Sequence, residues 1–369
     1  MTAIVGVLNK HAVAVAADSA ATINGTLGRK VLNQANKIIT ISKYHPIAVM
    51  IYSSSSFLGT PWDVIVKLYR DNLKEKDFNS VSDYISDFIK FLSDNSFFCS
   101  EGFQRKVLRM HIFRLYQDIE RKAIAIIGGE VTDSNKPYLF KTIKDELSSL
   151  KEKLDKSEPC EGLKSYTFEK FEKYSIDILD ELYNYIVNHT GASPELYEHA
   201  KQTAFSFLKS SFNLLGYTGL VFVGYGKFDI SPSLKSINVS TAFDGFLKYS
   251  YDKQSEAVIS ENNMAAICPF AQTDVMETIL TGIDPSVKHF VSDLFFKSLN
   301  AYSTLVSNTI KANNGDSILS TAIEKLDISG IRKVFVEDPS AFDPRKYLTP
   351  ARDLIKATVQ HKIRDVFGS

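Results

Sequence analysis

Short runs of apolar residues separated by polar punctuation open the chain. Ala3 to Leu8 (AIVGVL) and Ala12 to Ala17 (AVAVAA) are two such runs, and the polar Asn9-Lys10-His11 between them predicts a hairpin turn. Lys37 to Ile41 (KIITI) and Ile47 to Ile51 (IAVMI) are rich in β-branched residues and complete a four-stranded opening. The period changes at Thr60-Pro61, which predicts a helix start with Thr as N-cap and Pro at the first helical position. From there to about Gly216, apolar residues recur at three- and four-residue spacing over Asp63–Leu73, Val81–Leu92, Phe103–Ile127, Lys136–Lys156, Phe168–Asn188 and Pro194–Leu214.

A second β stretch follows. Gly219–Tyr225, Leu234–Val239, Phe246–Tyr251, Glu256–Ser260 and Met264–Cys268 are short runs with turn residues between them, and Asp244-Gly245 is a strong turn signal. A helix opens at Asp284-Pro285 and runs to about Lys311, and a further one covers Asp316–Leu326. Ile331–Val336 reads as a late strand, and the tail over Pro350–Phe367 reads as helical. Segregated strand and helix blocks predict an α+β fold rather than a doubly wound α/β fold.

Composition narrows the function classes. Lys+Arg and Asp+Glu both number 43 in the 369-residue chain, so nothing argues for a polyanion-binding surface, and nucleic acid is not expected as a partner. The dense charges between Lys141 and Lys173 read as a solvated helical face. Cys99, Cys160 and Cys268 form no CxxC pair and read as reduced thiols. The seven histidines make no HExxH spacing. Gly224-Tyr225-Gly226 lacks the third glycine of a dinucleotide site, and no GxxxxGK[ST] phosphate loop is present. No cofactor and no metal are expected. The N-terminus does not resemble a signal peptide and no stretch approaches a membrane span, so the expected location is cytoplasmic, with no membrane partner.

Candidate chemistry lies at the start of the chain. If Asn9, Lys10 and His11 form the loop, antiparallel pairing sets Thr2 opposite Asp18, while a two-residue loop sets Thr2 opposite Ala17 with Asp18 adjacent. Small residues after Met1 favour its removal, which would give Thr2 a free α-amine. Such an amine titrates at about 7.7 to 8.0 and can take the proton of its own hydroxyl. A nearby lysine would depress that amine further, and Asp18 could hold the lysine in place.

These residues carry a resemblance. Thr2-Ala-Ile-Val-Gly-Val-Leu, Ala16-Ala17-Asp18-Ser-Ala-Ala-Thr22 and Asn36-Lys37-Ile38-Ile-Thr-Ile resemble the proteasome β-subunit pattern and the peptidase subunit of the bacterial two-component ATP-dependent protease. In that N-terminal-nucleophile (Ntn) hydrolase family a nucleophilic Thr leads the first strand, an acidic residue ends the second and a lysine starts the third. Thr2, Asp18 and Lys37 match in turn; the Asp18-to-Lys37 segment is a few residues longer than usual, and Lys30 competes with Lys37. The run Ser53-Ser54-Ser55 falls where the family has a glycine whose backbone N–H serves the oxyanion hole. Asp327 and Ser329 resemble the pair that supports the N-terminal amine, and Ala266 to Pro269 falls where the family has a Gly-Ser-Gly-type turn, without its serine.

The resemblance implies a four-layer αββα sandwich with a large helical insertion between its two β halves. Residues 1–64 and 217–345 would form the core, 65–216 the helical region and 346–369 a C-terminal helix. It implies a threonine peptidase acting on peptide or unfolded protein, assembled as a homo-oligomer and served by a separate ATPase. A catalytically inactive proteasome-like assembly or partner-binding protein, and a small-molecule Ntn amidase, are the alternatives.

Overall fold

A computed structural model of the chain describes residues 3–19, 21–25, 28–32, 36–94, 100–211, 216–271 and 273–312. Among them two hairpin-derived sheets dominate. Strands β1 (Ala3–Asn9) and β2 (Val13–Ala17) pair as expected, and a separate hairpin, β3 (Ala21–Gly25) with β4 (Gly28–Leu32), fills the segment before β5 (Ile38–Thr40) and β6 (Ile47–Ser53). The four opening strands expected from the sequence are therefore present but divided. β1 and β2 belong to one sheet, and β5 and β6 to another.

Ser56–Phe57 (β7) and Thr60–Pro61 (β8) pair as a small ladder around Leu58-Gly59, which takes left-handed backbone angles at both residues. Thr60 is thus a strand residue rather than an N-cap, and helix α1 (Trp62–Leu73) starts just past the expected position, with Pro61 capping it without a side-chain bond. Helices α2 (Val81–Asp94), α3 (Glu101–Ile126), α4 (Lys136–Asp155), α5 (Phe168–Tyr174), α6 (Ile176–Tyr183) and α7 (Pro194–Lys209) follow the predicted periodicity. The single helix expected over Phe168–Asn188 is broken at the buried Ser175 and continues after α6 as a wider π turn over Asn184–His189.

Strands β9 (Thr218–Gly224), β10 (Ser233–Phe243), β11 (Phe246–Tyr251), β12 (Ala257–Val258) and β13 (Ala265–Ala271) complete the sheets. One sheet has the order β13-β1-β2, and the larger runs β11-β10-β9-β6-β5 with β12 on the edge of β10. All of these pairings are antiparallel, in an α+β arrangement. Strand β9 lies in the middle and is buried along its whole length.

Alternation on β6 and β9 builds two cores. Val49, Ile51, Leu220 and Phe222 face α1 and α2, where Trp62, Tyr69, Tyr84 and Phe88 pack. Met50, Tyr52, Val221 and Val223 face Ile4, Leu8 and Phe270 of the three-stranded sheet. The order of layers is helices, six-stranded sheet, three-stranded sheet. Helices α1 and α2 thus share a core with the sheet, although α2 and all but the first three residues of α1 lie inside the segment read as helical insertion. A third core belongs to α3, α4, α6 and α7 with Leu163, Tyr166 and Phe171, and Phe243 of β10 joins it.

The chain divides into two compact units, Met1–Ala271 and Gln272–Ser369, which separates the segment 217–345. The described part of the second unit consists of α8 (Thr273–Thr281), which the sequence reading missed, and the long α9 (Pro285–Ala312) expected from Asp284-Pro285. The helix expected at Asp316–Leu326, the strand at Ile331–Val336 and the C-terminal helix at 346–369 lie outside the described residues.

Candidate functional site

The turn between β1 and β2 sets the geometry of the site. Asn9 accepts the backbone N–H groups of His11 and Ala12 on its side-chain oxygen, at 2.8 and 2.9 Å, and donates its own N–H to the Ala12 carbonyl at 3.0 Å. Asn9 therefore belongs to the ladder, and only Lys10 and His11 form the loop. The register runs Leu8 opposite Val13 to Ile4 opposite Ala17, which brings Ala3, not Thr2, opposite Asp18. The expected pairing of Thr2 with Asp18 or Ala17 is corrected by this shift. Thr2 itself lies outside the described residues.

Asp18 sits at the head of β1. Its N–H donates to the Ala3 carbonyl at 3.0 Å, and its Oδ1 accepts the Ala3 N–H at 2.8 Å. The same Oδ1 accepts Lys37 Nζ at 2.8 Å. The Lys37 side chain is 9% exposed and that of Asp18 32%, so the ammonium is nearly withdrawn from solvent while the carboxylate keeps a wet edge. Lys37 reaches this point because its carbonyl accepts the Ile51 N–H at 2.9 Å, extending the β5–β6 ladder by one pair. The extra length between Asp18 and Lys37 is taken up by the β3–β4 hairpin, which places Lys30 opposite Ile23. The sequence thus identified an acid and a base that the fold brings into contact.

The three serines after β6 have distinct surroundings. Ser54 donates its N–H to the Tyr217 carbonyl at 3.3 Å, continuing the β6–β9 ladder. Antiparallel ladders alternate, so the Ser53 N–H turns to the opposite edge of β6, the side of β5 and Lys37. The Ser55 carbonyl accepts the Trp62 N–H at 3.1 Å and starts the approach to α1. Ser53 has a φ of 71°, in the left-handed region that suits glycine better than serine. Of the two amides that the ladder places, that of Ser53 lies on the edge of β6 toward β5 and Lys37.

The strand expected over Met264–Cys268 is β13, and Ala266 to Pro269, where the family has a turn, lies inside it, with Ala266 opposite Leu8 and Pro269 opposite Val5. The strand runs on to Ala271, which has a φ of 66° and stands opposite Ala3. Asp327 and Ser329 lie outside the described residues. Tyr52, beside Ser53, packs its ring near Phe270 and Tyr217, and burial pushes its hydroxyl up to about 12. Trp62 and Thr218 also take part in the surroundings of the serines, and no local pattern in the sequence marks them. Among the described residues no group of three or more His, Cys, Asp and Glu is placed to hold a metal ion, and no helix is long and apolar enough to cross a membrane.

Comparison with known proteins adds one partial likeness. Over 90 residues, 24% of this chain, the sequence is 36% identical to a fructose-bisphosphate aldolase of Geobacillus stearothermophilus. The match spans 28% of that relative's length. No family model and no solved structure matches the chain. The peptidase activity expected from the sequence is overturned here: a curated protein that about a quarter of the chain resembles bears the name of an aldolase, not of a peptidase.

Proposed function

We propose that the chain has an Ntn-type core and that the Asp18–Lys37 pair serves nucleophilic chemistry on an activated acyl group. The observation that carries the reading is the double use of Asp18 Oδ1, which holds the Lys37 ammonium and the Ala3 amide at 2.8 Å each. A fixed cation with little solvent around it favours a developing negative charge, and being fixed in advance it needs no reorganisation when the charge appears. Thr2 is joined to the Ala3 amide, so the Thr2 hydroxyl is the nucleophile that the chain supplies at this point. Its oxygen attacks the acyl carbon, the bond to the leaving group breaks, and the hydroxyl proton ends on that leaving group. Ser53, whose amide faces the same side, is the oxyanion donor in this reading. The layer order of helices, six-stranded sheet and three-stranded sheet supports an αββα plan. The reading ends at acyl transfer to the chain and carries no peptide substrate.

The test is acylation by a β-lactone, followed by intact mass and peptide mapping on protein without an N-terminal tag. A single adduct on Thr2 is expected, absent in Thr2→Ala and slowed about a hundredfold in Lys37→Met. Absence of any adduct in the wild-type protein would sink the reading. A borohydride-stabilised adduct of fructose bisphosphate on Lys37 would replace it with imine chemistry at that lysine.

A further inference from the structure

Five non-glycine residues among those described have left-handed backbone angles: Ser53, Leu58, Lys74, Asp244 and Ala271. Leu58 and Asp244 are turn residues of two-residue hairpins, and Lys74 ends helix α1. Ser53 and Ala271 have no such local reason. Both stand at strand ends, one on the strand that pairs with Lys37 and the other opposite Ala3, so the backbone strain left over borders the candidate site.

Ser53 lies between two anchored peptides. Upstream, the β6–β9 ladder fixes Tyr52 opposite Gly219, with the Tyr52 ring lying over that glycine. Downstream, the Ser54 N–H is held by the Tyr217 carbonyl, and on the next peptide the Ser54 carbonyl accepts the Thr218 hydroxyl at 3.2 Å, so Ser54 is fixed at both ends. The Thr218 hydroxyl in turn accepts Trp62 Nε1 at 2.8 Å. Thr218 is 2% exposed and Trp62 1% exposed, so water cannot substitute for either bond. The bend between the two anchored peptides therefore falls on Ser53.

We propose that Thr218, oriented by Trp62, is a positioning residue that keeps Ser53 in its left-handed conformation and its amide turned toward Lys37. The inference rests on the acyl-transfer reading of the site. Trp62 is the first residue of α1, so the indole ties the helix layer to β9 at the residue opposite Ser53. The Thr218 hydroxyl has one proton to give and is left with a lone pair for the indole, which fixes the direction of the relay from Trp62 to Ser54.

The test combines kinetics and crystallography on Thr218→Val, Thr218→Ser and Trp62→Phe, in the full chain, with the β-lactone as probe. Thr218→Val and Trp62→Phe are expected to slow the first-order acylation step by about tenfold to a hundredfold, with little change in the half-saturating lactone concentration. Thr218→Ser is expected to restore the wild-type step. Crystals of Thr218→Val are expected to show Ser53 relaxed to a negative φ. Acylation within twofold of wild type in both Thr218→Val and Trp62→Phe, or Ser53 still left-handed in Thr218→Val, would overturn the positioning role. If Thr218→Val fails to fold, Trp62→Phe and its Ser53 φ decide. If the wild type takes no lactone at all, the acyl-transfer reading fails by itself, and the φ of Ser53 in the variant still decides whether the relay holds the bend.

Discussion

Asp18 and Lys37 are partners whose removal has unequal consequences. Replacing Asp18 by Asn strips the carboxylate from an ammonium that is 9% exposed, whereas replacing Lys37 by Met leaves a carboxylate oxygen with a wet edge and the Ala3 amide still bound. Asp18→Asn should therefore cost about 1–3 kcal/mol, and Lys37→Met less. The double variant Asp18→Asn/Lys37→Met should be more stable than the sum of the two losses implies, with a coupling of about 0.5–3 kcal/mol. Urea unfolding of the four proteins measures this, and strictly additive losses would show that the 2.8 Å contact contributes nothing to stability. Both residues were legible in the sequence because the resemblance fixed their types and order. Ser53 was legible only as one of three, since backbone direction depends on pairing with β9 and β5.

At the scale of elements, close approach decides which glycines are required. A Cβ on Gly219 would lie 2.0 Å from the Tyr52 ring, which is itself set among Tyr217 and Phe270. On Gly6 it would lie 2.6 Å from the mobile end of Leu234, where the two sheets face each other. Gly219→Ala should destabilise by about 1–3 kcal/mol and Gly6→Ala by less, because a methyl terminus can rotate away and a packed ring cannot. Thermal melts should order the two accordingly, and equal melting temperatures would show that the Tyr52 ring is free to move. Strand and helix identities at this scale were legible from period alone. The strand run at Ala3–Leu8, the helices from α2 to α4 and the Asp244-Gly245 turn all stand where the pattern put them. The β1–β2 register was not, because Asn9 is polar enough to look like loop yet uses its side chain to cap a shorter one.

At the scale of the molecule, the join between the α3–α7 lobe and the large sheet is built around buried titratable groups. Lys248 on β11 is 3% exposed and donates to the Phe207 carbonyl of α7 at 3.0 Å; burial brings its ammonium down to about 8, against a smaller opposing effect of Cys160. His111 on α3 is brought down to about 4 by burial, then by Lys248 and Arg114. Both folded-state values lie below the unfolded ones, so the folded protein holds fewer protons than the unfolded chain. Stability should rise with pH from about 4 to 6.5 through His111 and again from about 8 upward through Lys248. Lys248→Met should raise stability at pH 7 by on the order of 3 kcal/mol and abolish the upper rise. Melting temperatures at pH 7 and pH 9.5 check this, and an unchanged difference between them in the variant would refute it.

The sequence by itself determined the kinds and order of most elements in the described residues, the α+β class, and the acid and base that meet at the head of β1. Hydrophobic period and turn chemistry are local, and the chain writes them within a few residues. Only the tertiary structure decided partners. Helices α1 and α2 read like the other helices of the middle segment, yet they cover the six-stranded sheet because Trp62, Tyr69 and Phe88 fit the face of β6 and β9. The bond from Trp62 to Thr218 closes across 156 positions, and the choice of Ser53 over Ser54 follows from the pairing of β6 with β9, which is also remote in sequence. Such contacts depend on which surfaces meet, and no local pattern encodes that meeting.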